Sequence, residues 1–349
     1  MSKLVKILMS VAGAVLLLGF LHVWLNVGFD KLVLGRSDVA DEATFRVGFL
    51  PVTCHLTCPV TDWINRTMLG KGFFEPVRFS GWPELKEAFL SNNLPATFML
   101  APMAIALRQQ GVPVKIVYLG HRDGTALMVH IDSHIHSFKD LKGKSIAIPN
   151  RFSNQMLIIY KGLKDYGMSI NDVKLLEMPP PDMPAALHSK AVDAIISGEP
   201  LMAQTELDGY GRVLYQAKEL WPNFISCVLV VHEHVIKEHP EWVQKLVDGI
   251  AKSGKWLDAD MEHRMEASQA VAKNYYHQDP RLLRYVLSKP PDRVTYTNLA
   301  LAQSDFEKIE TIALDAGILD APIPFSEYTD TTFSAQTHGA QPYTLGQAR

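Results

Sequence analysis

Residues 177–204, EMPPPDMPAALHSKAVDAIISGEPLMAQ, decide how the rest of the chain is read. Pro179, Pro180 and Pro181 cannot lie inside a central strand or a helix, so they mark a stiff turn. Asp182 follows as a candidate N-cap. Met183, Ala186 and Leu187 then recur at helical spacing until the helix gives out near Lys190. Ala191, Val192, Ala194, Ile195 and Ile196 read as a short buried strand interrupted by Asp193, closed by Ser197, Gly198, Glu199 and Pro200. The order is strand, proline turn, helix, strand, small-residue loop, helix. Loops at the carboxyl ends of parallel strands are where open α/β sheets bind ligands.

The same alternation runs outward in both directions. Upstream, residues 45–50 (FRVGFL) form a first strand bounded by Pro51, and a helix with Pro59 in its first turn ends at Gly70 to Gly72. A strand at 76–79, a helix from Trp82, a strand at 96–100 and a helix from Pro102 to Gly111 follow. Strands at 114–119 and 126–131 come next, then a capped turn at 137–144, the strand SIAIP and a helix opening with Ser153, Asn154 and Gln155. Downstream, strands at 213–215 and 227–231 precede a long helix over 240–260 with Trp242, Leu246, Ile250 and Trp256 mostly on one face. Helices at 261–276 and 304–316 close the series. This pattern predicts an α/β fold with largely parallel sheets.

The chain has 349 residues, 47% hydrophobic and 20% charged, with a formal net charge of −3. Nothing in that balance calls for nucleic acid. The exception to an ordinary globular composition is the apolar run 7–25, broken only by Ser10 and His22. As a helix it spans roughly 28 Å, about a bilayer core. Lys3 and Lys6 precede it, but no small-x-small cleavage site follows, so an uncleaved anchor is expected rather than a signal peptide.

The most chemically loaded loop is VTCHLTCPVTDW after the first strand, with Thr53, Cys54, His55, Thr57 and Cys58. Thiolate and imidazole are soft ligands that suit zinc or copper. A second ligand pair at matching spacing is missing, so no metal ligand is assigned; a local Cys54–Cys58 disulfide, buried thiols and pocket lining remain as readings. Ser153, Asn154 and Gln155 bring a hydroxyl, amides and free N–H groups to one helix start, which suits an anion or carboxylate. Simple capping is the plain alternative. Three patterns are set aside. The G-I-A-K-S-G-K run at 249–255 is followed by Trp256 where a phosphate loop needs Ser or Thr. His232, Glu233, His234 and His239 lack H-E-x-x-H spacing, because position 236 is Ile. His134 and His136 alternate in a loop without a nearby partner.

The PPP-D-M turn, the helix leading to VDA and the G-E-P loop resemble the nitrate-, bicarbonate-, sulfonate- and taurine-binding proteins of ABC importers, a family that also includes thiamine-precursor-like proteins. F-x-D-L-K-G-K at 138–144 is similar to the opening of those proteins' second lobe. The resemblance covers roughly residues 45–319 and implies a two-lobed periplasmic-binding-protein-like (type II) fold, here with an N-terminal transmembrane helix. It implies a first lobe over 45–131 and 232–325 and a second lobe over 132–231; the residues themselves read as an anchor over 1–28, a tether over 29–44 and a polar tail over 326–349. Chain crossings are expected near Ile131 and Val231.

Function by resemblance is extracytoplasmic binding of a small anion or organic acid or sulfonate-like ligand, delivered by lobe closure to an ABC permease with a separate ATPase subunit. The body would sit in the periplasm or outside the cell, anchored to the inner membrane, with no catalytic residue and no cofactor. The expected ligand-binding residues are Thr53, Cys54 and His55 in one lobe, facing Ser153, Asn154, Gln155, Ser197, Gly198 and Glu199 in the other. Nitrate-binding members carry Trp where this chain has Phe98, Met99 and Leu100, and again where it has Leu201. That departure leaves room for a larger or less polar ligand. Two rivals are kept: a relative of the pyrimidine synthase of thiamine biosynthesis, for which the Cys and His loop would suit, and a ligand-sensing module.

Overall fold

The structure is a computed structural model that describes residues 45–344, together with positions 5, 6, 9 and 13. Residues 1–44 and 45–349 separate into two units. In the first, the isolated described positions are helical, and most of the expected membrane run 7–25 lies outside the described residues. Among the described residues, no helix is long and apolar enough to cross a membrane.

The second unit is built on two five-stranded sheets. Strands β1 (Arg46–Phe49), β2 (Glu75–Arg78), β3 (Ala96–Leu100) and β4 (Val114–Leu119) come first in the chain, followed by the short β5 (Arg122–Asp123) and β6 (Thr125–His130). β7 (Ser145–Ile148), β8 (Lys174–Glu177), β9 (Ala194–Gly198), β10 (Gly211–Gln216), β11 (Cys227–His232) and β12 (Val294–Thr295) complete the set. The first sheet has the order β2-β1-β3-β11-β4 and the second β10-β6-β9-β7-β8, while β12 pairs with β5. β1 runs parallel to β2 and β3, and β11 lies antiparallel between β3 and β4. The second sheet repeats the device: β7 is parallel to β8 and β9, and β6 is antiparallel to β9 and β10.

Each sheet therefore takes in, next to its edge strand, a strand that has crossed from the other sheet. The chain leaves the first sheet after β4 and returns to it as β11. The strand expected at 126–131 in the first lobe belongs to the second sheet, and the strand expected at 227–231 in the second lobe belongs to the first. By sheet membership the crossings lie within 120–124 and 217–226, not at Ile131 and Val231. Burial explains the misplacement, since Ala126, Leu127, Met128 and Val129 are as buried in one sheet as they would be in the other. The two crossing segments run side by side: Arg122 bridges Ile225, and the Asp123 N–H donates to the Phe224 carbonyl at 2.8 Å.

The proline turn forms as read, as a 3-10 turn at Pro180–Asp182 ahead of the helix Met183–His188. Asp182 does not cap that helix with its side chain; the tight turn enters the helix with helical dihedrals, leaving no extended N-cap residue. Asp193 instead fastens the sheet, its carboxylate accepting from the Ser145 N–H and hydroxyl at 2.9 and 2.8 Å. The helix Pro240–Ala259 buries Val243, Leu246, Val247, Ile250, Trp256 and Leu257 against the helix Thr57–Leu69 and its neighbours. Burial of each such side chain stabilises by about 1.5–3 kcal/mol.

The expected polar tail is also corrected. Helices Phe325–Tyr328 and Thr331–Ala335 pack on β4, with Tyr328 and Phe333 buried and Thr329 bridging Ile116. Lys115 Nζ donates to the Ser326 and Glu327 carbonyls at 2.8 and 2.9 Å. Three aromatics spaced through a Ser- and Thr-rich segment supply enough apolar surface to dock it.

Candidate functional site

Strand register brings the loaded segments together. Cys227, the first residue of β11, pairs with Leu100 at the carboxyl end of β3, and Thr125, the first of β6, pairs with Gly198 at the carboxyl end of β9. The turn after β1, the start of β11, the start of β6 and the loop after β9 all meet where the two sheets face each other.

The turn after β1 is a 3-10 turn, Thr53–His55, leading through Leu56 into the helix Thr57–Leu69. It is pinned from both sides. The Tyr276 and Tyr296 hydroxyls donate to the Val52 and Thr53 carbonyls at 2.7 and 3.0 Å. The Thr53 N–H donates to the Glu199 carbonyl at 2.6 Å, a direct link between the segments after β1 and β9. Gly120 lies against this turn, and a Cβ there would stand 2.2 Å from the Cys54 carbonyl oxygen. Only glycine allows that approach.

The side chains of the turn are buried and incompletely partnered. The Leu50 N–H donates to His55 Nδ1 at 2.7 Å, so Nδ1 is the acceptor nitrogen and Nε2 carries the ring proton. That Nε2 is buried without a partner, and so are Trp82 Nε1, His121 Nδ1 and Thr57 Oγ1. His55 packs edge-on to Trp82 with centroids 5.6 Å apart, and against Phe98 at 5.1 Å. His121 Nε2 lies 3.1 Å from Thr53 Oγ1.

The helix Asn154–Asp165 follows β7 of the second sheet, and its first residues reach the starts of β6 and β11. Ser153 is its N-cap, its hydroxyl accepting from the Met156 N–H at 3.0 Å, so the capping reading holds for that residue. Asn154 Nδ2 donates to the Ile225 carbonyl. Gln155 Nε2 donates to the Ser226 and Thr125 hydroxyls at 3.0 and 3.2 Å. Both carbonyl oxygens, Asn154 Oδ1 and Gln155 Oε1, are buried without a partner. Buried polar groups are nearly always paired, so these leftover acceptors and donors make the junction the candidate site.

Ser197, Gly198 and Glu199 are buried in the same region, but the Glu199 carboxylate is committed elsewhere. Its Oε1 lies 2.8 Å from Arg293 Nη1, and its Oε2 accepts from the Ala203 N–H at 2.8 Å. Arg293 is held by Glu206 as well, at 2.8 Å. Burial pushes the Glu199 carboxyl above its ordinary range, with Arg293 opposing the shift. Along one rim, Trp82, Met103 and Leu107 face Asn150, Phe152 and Glu177 across a cleft of about 160 Å³, with Lys86 and Arg151 at its edge.

The cysteines are arranged differently from the local pair considered in the sequence. Cys54 Sγ lies 2.9 Å from Cys227 Sγ, while Cys58 is buried in its helix with its thiol pushed up by burial and by Asp62. Cys54, His55 and Cys227 place one ligand atom each within 4.8 Å of one another, the one grouping among the described residues that could hold a metal ion. Sequence reasoning missed Trp82, His121, Thr125, Ser226 and Cys227. The one available signal was the third cysteine at the mouth of an apolar strand.

The sequence profile described as the NMT1-like family matches residues 38–272. A riboflavin-binding protein, RibY of Chloroflexus aurantiacus, is 30% identical over 174 residues, 49% of this chain and 46% of that one. The taurine-binding periplasmic protein of Escherichia coli is 28% identical over 165 residues, 47% of this chain and 48% of that one. The chain thus spans about half the length of these relatives. In fold, the periplasmic nitrate-binding protein NrtA from Synechocystis superposes with a TM-score of 0.77 at 15% identity, over 85% of this chain and 89% of that one.

Proposed function

The chain belongs to the NMT1-like family, and from that premise we propose that it is an extracytoplasmic solute-binding protein that hands a small ligand to an ABC permease driven by a separate ATPase subunit. The ligand is a small anion, organic acid or sulfonate-like molecule held between the two sheets. Binding works by closure of two lobes, each built on one sheet, about the paired segments 120–124 and 217–226. The run 7–25 anchors the body to the inner membrane on its periplasmic side. No covalent chemistry on the ligand is involved.

One observation carries this reading. Buried polar atoms without partners come from both sides of the junction: His55 Nε2, Trp82 Nε1 and His121 Nδ1 from the first sheet and its exit, Asn154 Oδ1 and Gln155 Oε1 from the second. A ligand satisfying both sets stabilises the closed form, because opening removes half its contacts. With the His55 and Trp82 N–H groups as donors on one side and the Asn154 and Gln155 oxygens as acceptors on the other, an acid that also carries an N–H or O–H group fits better than a bare inorganic anion.

Thermal-shift screening of taurine, other sulfonates, carboxylates and nitrate, followed by calorimetry on the hits, tests the reading. His55→Ala and Gln155→Ala should each weaken binding roughly 5- to 150-fold, the effect of about 1–3 kcal/mol. Unchanged affinity in both variants would place the site elsewhere.

A further inference from the structure

Cys54 and Cys227 are 173 residues apart in sequence, yet their sulfurs lie 2.9 Å apart, inside the roughly 3.5–4.0 Å at which nonbonded heavy atoms rest. Both side chains are buried. A shared proton, a bridging metal ion and a covalent bond are the ways two cysteine sulfurs come to meet.

The metal fits poorly. His55 accepts the Leu50 N–H on Nδ1 and so carries its proton on Nε2, leaving no ring lone pair free for an ion. Two thiolates on one tetrahedral zinc, at about 2.3 Å each, stand roughly 3.8 Å apart, so these sulfurs would have to separate. His121 Nδ1 is unpartnered, but it and two sulfurs make three donors in a closed site, where a structural zinc takes four.

The covalent bond fits better, because the backbone already holds the two residues together. Gly120 is wedged between them: its N–H donates to the Cys227 carbonyl at 2.9 Å, and its absent Cβ leaves room for the Cys54 carbonyl. We propose that Cys54 and Cys227 form a reversible disulfide that ties the turn after β1 to the start of β11, with a low-molecular-weight or protein disulfide as oxidant. One thiolate of the pair attacks the oxidant's S–S bond, giving a mixed disulfide and one released thiolate. The other then attacks that cysteine's sulfur and expels the second. Two cysteine thiols are oxidised, one external disulfide is reduced to two thiols, and the cysteine protons pass to solvent.

Cys58 has no sulfur partner and stays reduced. Because Cys54 lies between Thr53 and His55, the bridge would also set how rigidly the turn meets a ligand; that consequence, unlike the bridge itself, rests on the proposed function.

The test is a thiol count on the full chain in detergent, equilibrated in glutathione buffers of graded oxidation, quenched in acid, unfolded and alkylated. At the oxidised end, mass spectrometry should show one alkylated cysteine, Cys58, and a linked peptide pair containing residues 54 and 227. After reduction all three should alkylate. The oxidised form should melt roughly 5–15 °C above the reduced form, and Cys54→Ser should abolish the difference while Cys58→Ser keeps it. Three alkylated cysteines at every ratio would overturn the proposal, as would a bridge to Cys58 or a bound zinc that keeps both thiols reduced until chelated. Ligand affinity plays no part in the count, so failure here is distinct from failure of the binding reading.

Discussion

The turn after β1 and the loop after β9 occupy equivalent places, each at the carboxyl end of a parallel strand and each buried at the junction of the sheets. Their polar groups are spent differently. Glu199 commits its carboxylate to Arg293 and the Ala203 N–H. His55 keeps a buried N–H with no partner. Topology alone therefore does not make a ligand contact. We propose that the loop after β9, its carboxylate held in an ion pair, acts as scaffold, and that the turn after β1, with a buried N–H left over, takes part in recognition.

The largest expected effect breaks the scaffold side of that comparison. Arg293→Ala would leave Glu199, fully buried, with no countercharge except through the backbone, a loss of about 3–5 kcal/mol in denaturant unfolding. The sign of its pH dependence follows from Glu199. Its carboxyl is already raised by burial against the opposing Arg293, and removing Arg293 raises it further. A folded state with the higher carboxyl pKa binds the extra proton, so stability is fully present below the unfolded pKa and falls as pH rises through the folded one. The variant should therefore regain stability toward pH 4; equal destabilisation at pH 4 and pH 7 would mean the pair does not carry the loop.

Gly120→Ala comes next, because it strikes where the turn meets the crossing segment. A Cβ 2.2 Å from the Cys54 carbonyl oxygen forces backbone to move, costing about 1–3 kcal/mol and shifting the turn. Stability and ligand affinity should fall together. Lost affinity at unchanged melting temperature would show the turn moving freely without cost to the fold.

How much of this was legible in the sequence divides along the same line. The proline turn, the β9 strand and the helix starts could be read because their signals are local: proline dihedrals, apolar runs and glycine stops. Sheet membership could not, since an apolar strand such as residues 125–130 looks the same whichever sheet it joins, and so the crossings were placed several residues late. Cys227 was read only as strand, because what makes it chemical is a sulfur 173 residues away. The segment after Phe325 was misread from its Ser and Thr content, although Phe325, Tyr328 and Phe333 were the residues that mattered. The Glu199 carbonyl meets Thr53 at the junction, but the partner of its carboxylate, Arg293, lies 94 residues downstream and no spacing announces it.

The smallest effect separates capping from recognition within one helix start. Ser153, Asn154 and Gln155 are adjacent and all buried, yet the Ser153 hydroxyl already accepts the Met156 N–H, while Asn154 and Gln155 each keep a carbonyl oxygen unpartnered. Ser153→Ala should cost about 0.5–2 kcal/mol of stability through the lost cap and leave ligand affinity within twofold of the parent. Gln155→Ala should do the reverse, weakening binding several-fold; its stability change is expected to be smaller, because its amide bonds only to hydroxyls that can turn to other partners. Measuring unfolding and binding on both variants gives four numbers that must cross in this pattern. If Ser153→Ala weakens binding as much as Gln155→Ala does, the cap oxygen is a ligand contact too. The helix start as a whole, with its free N–H groups, would then be the anion site that its sequence first indicated.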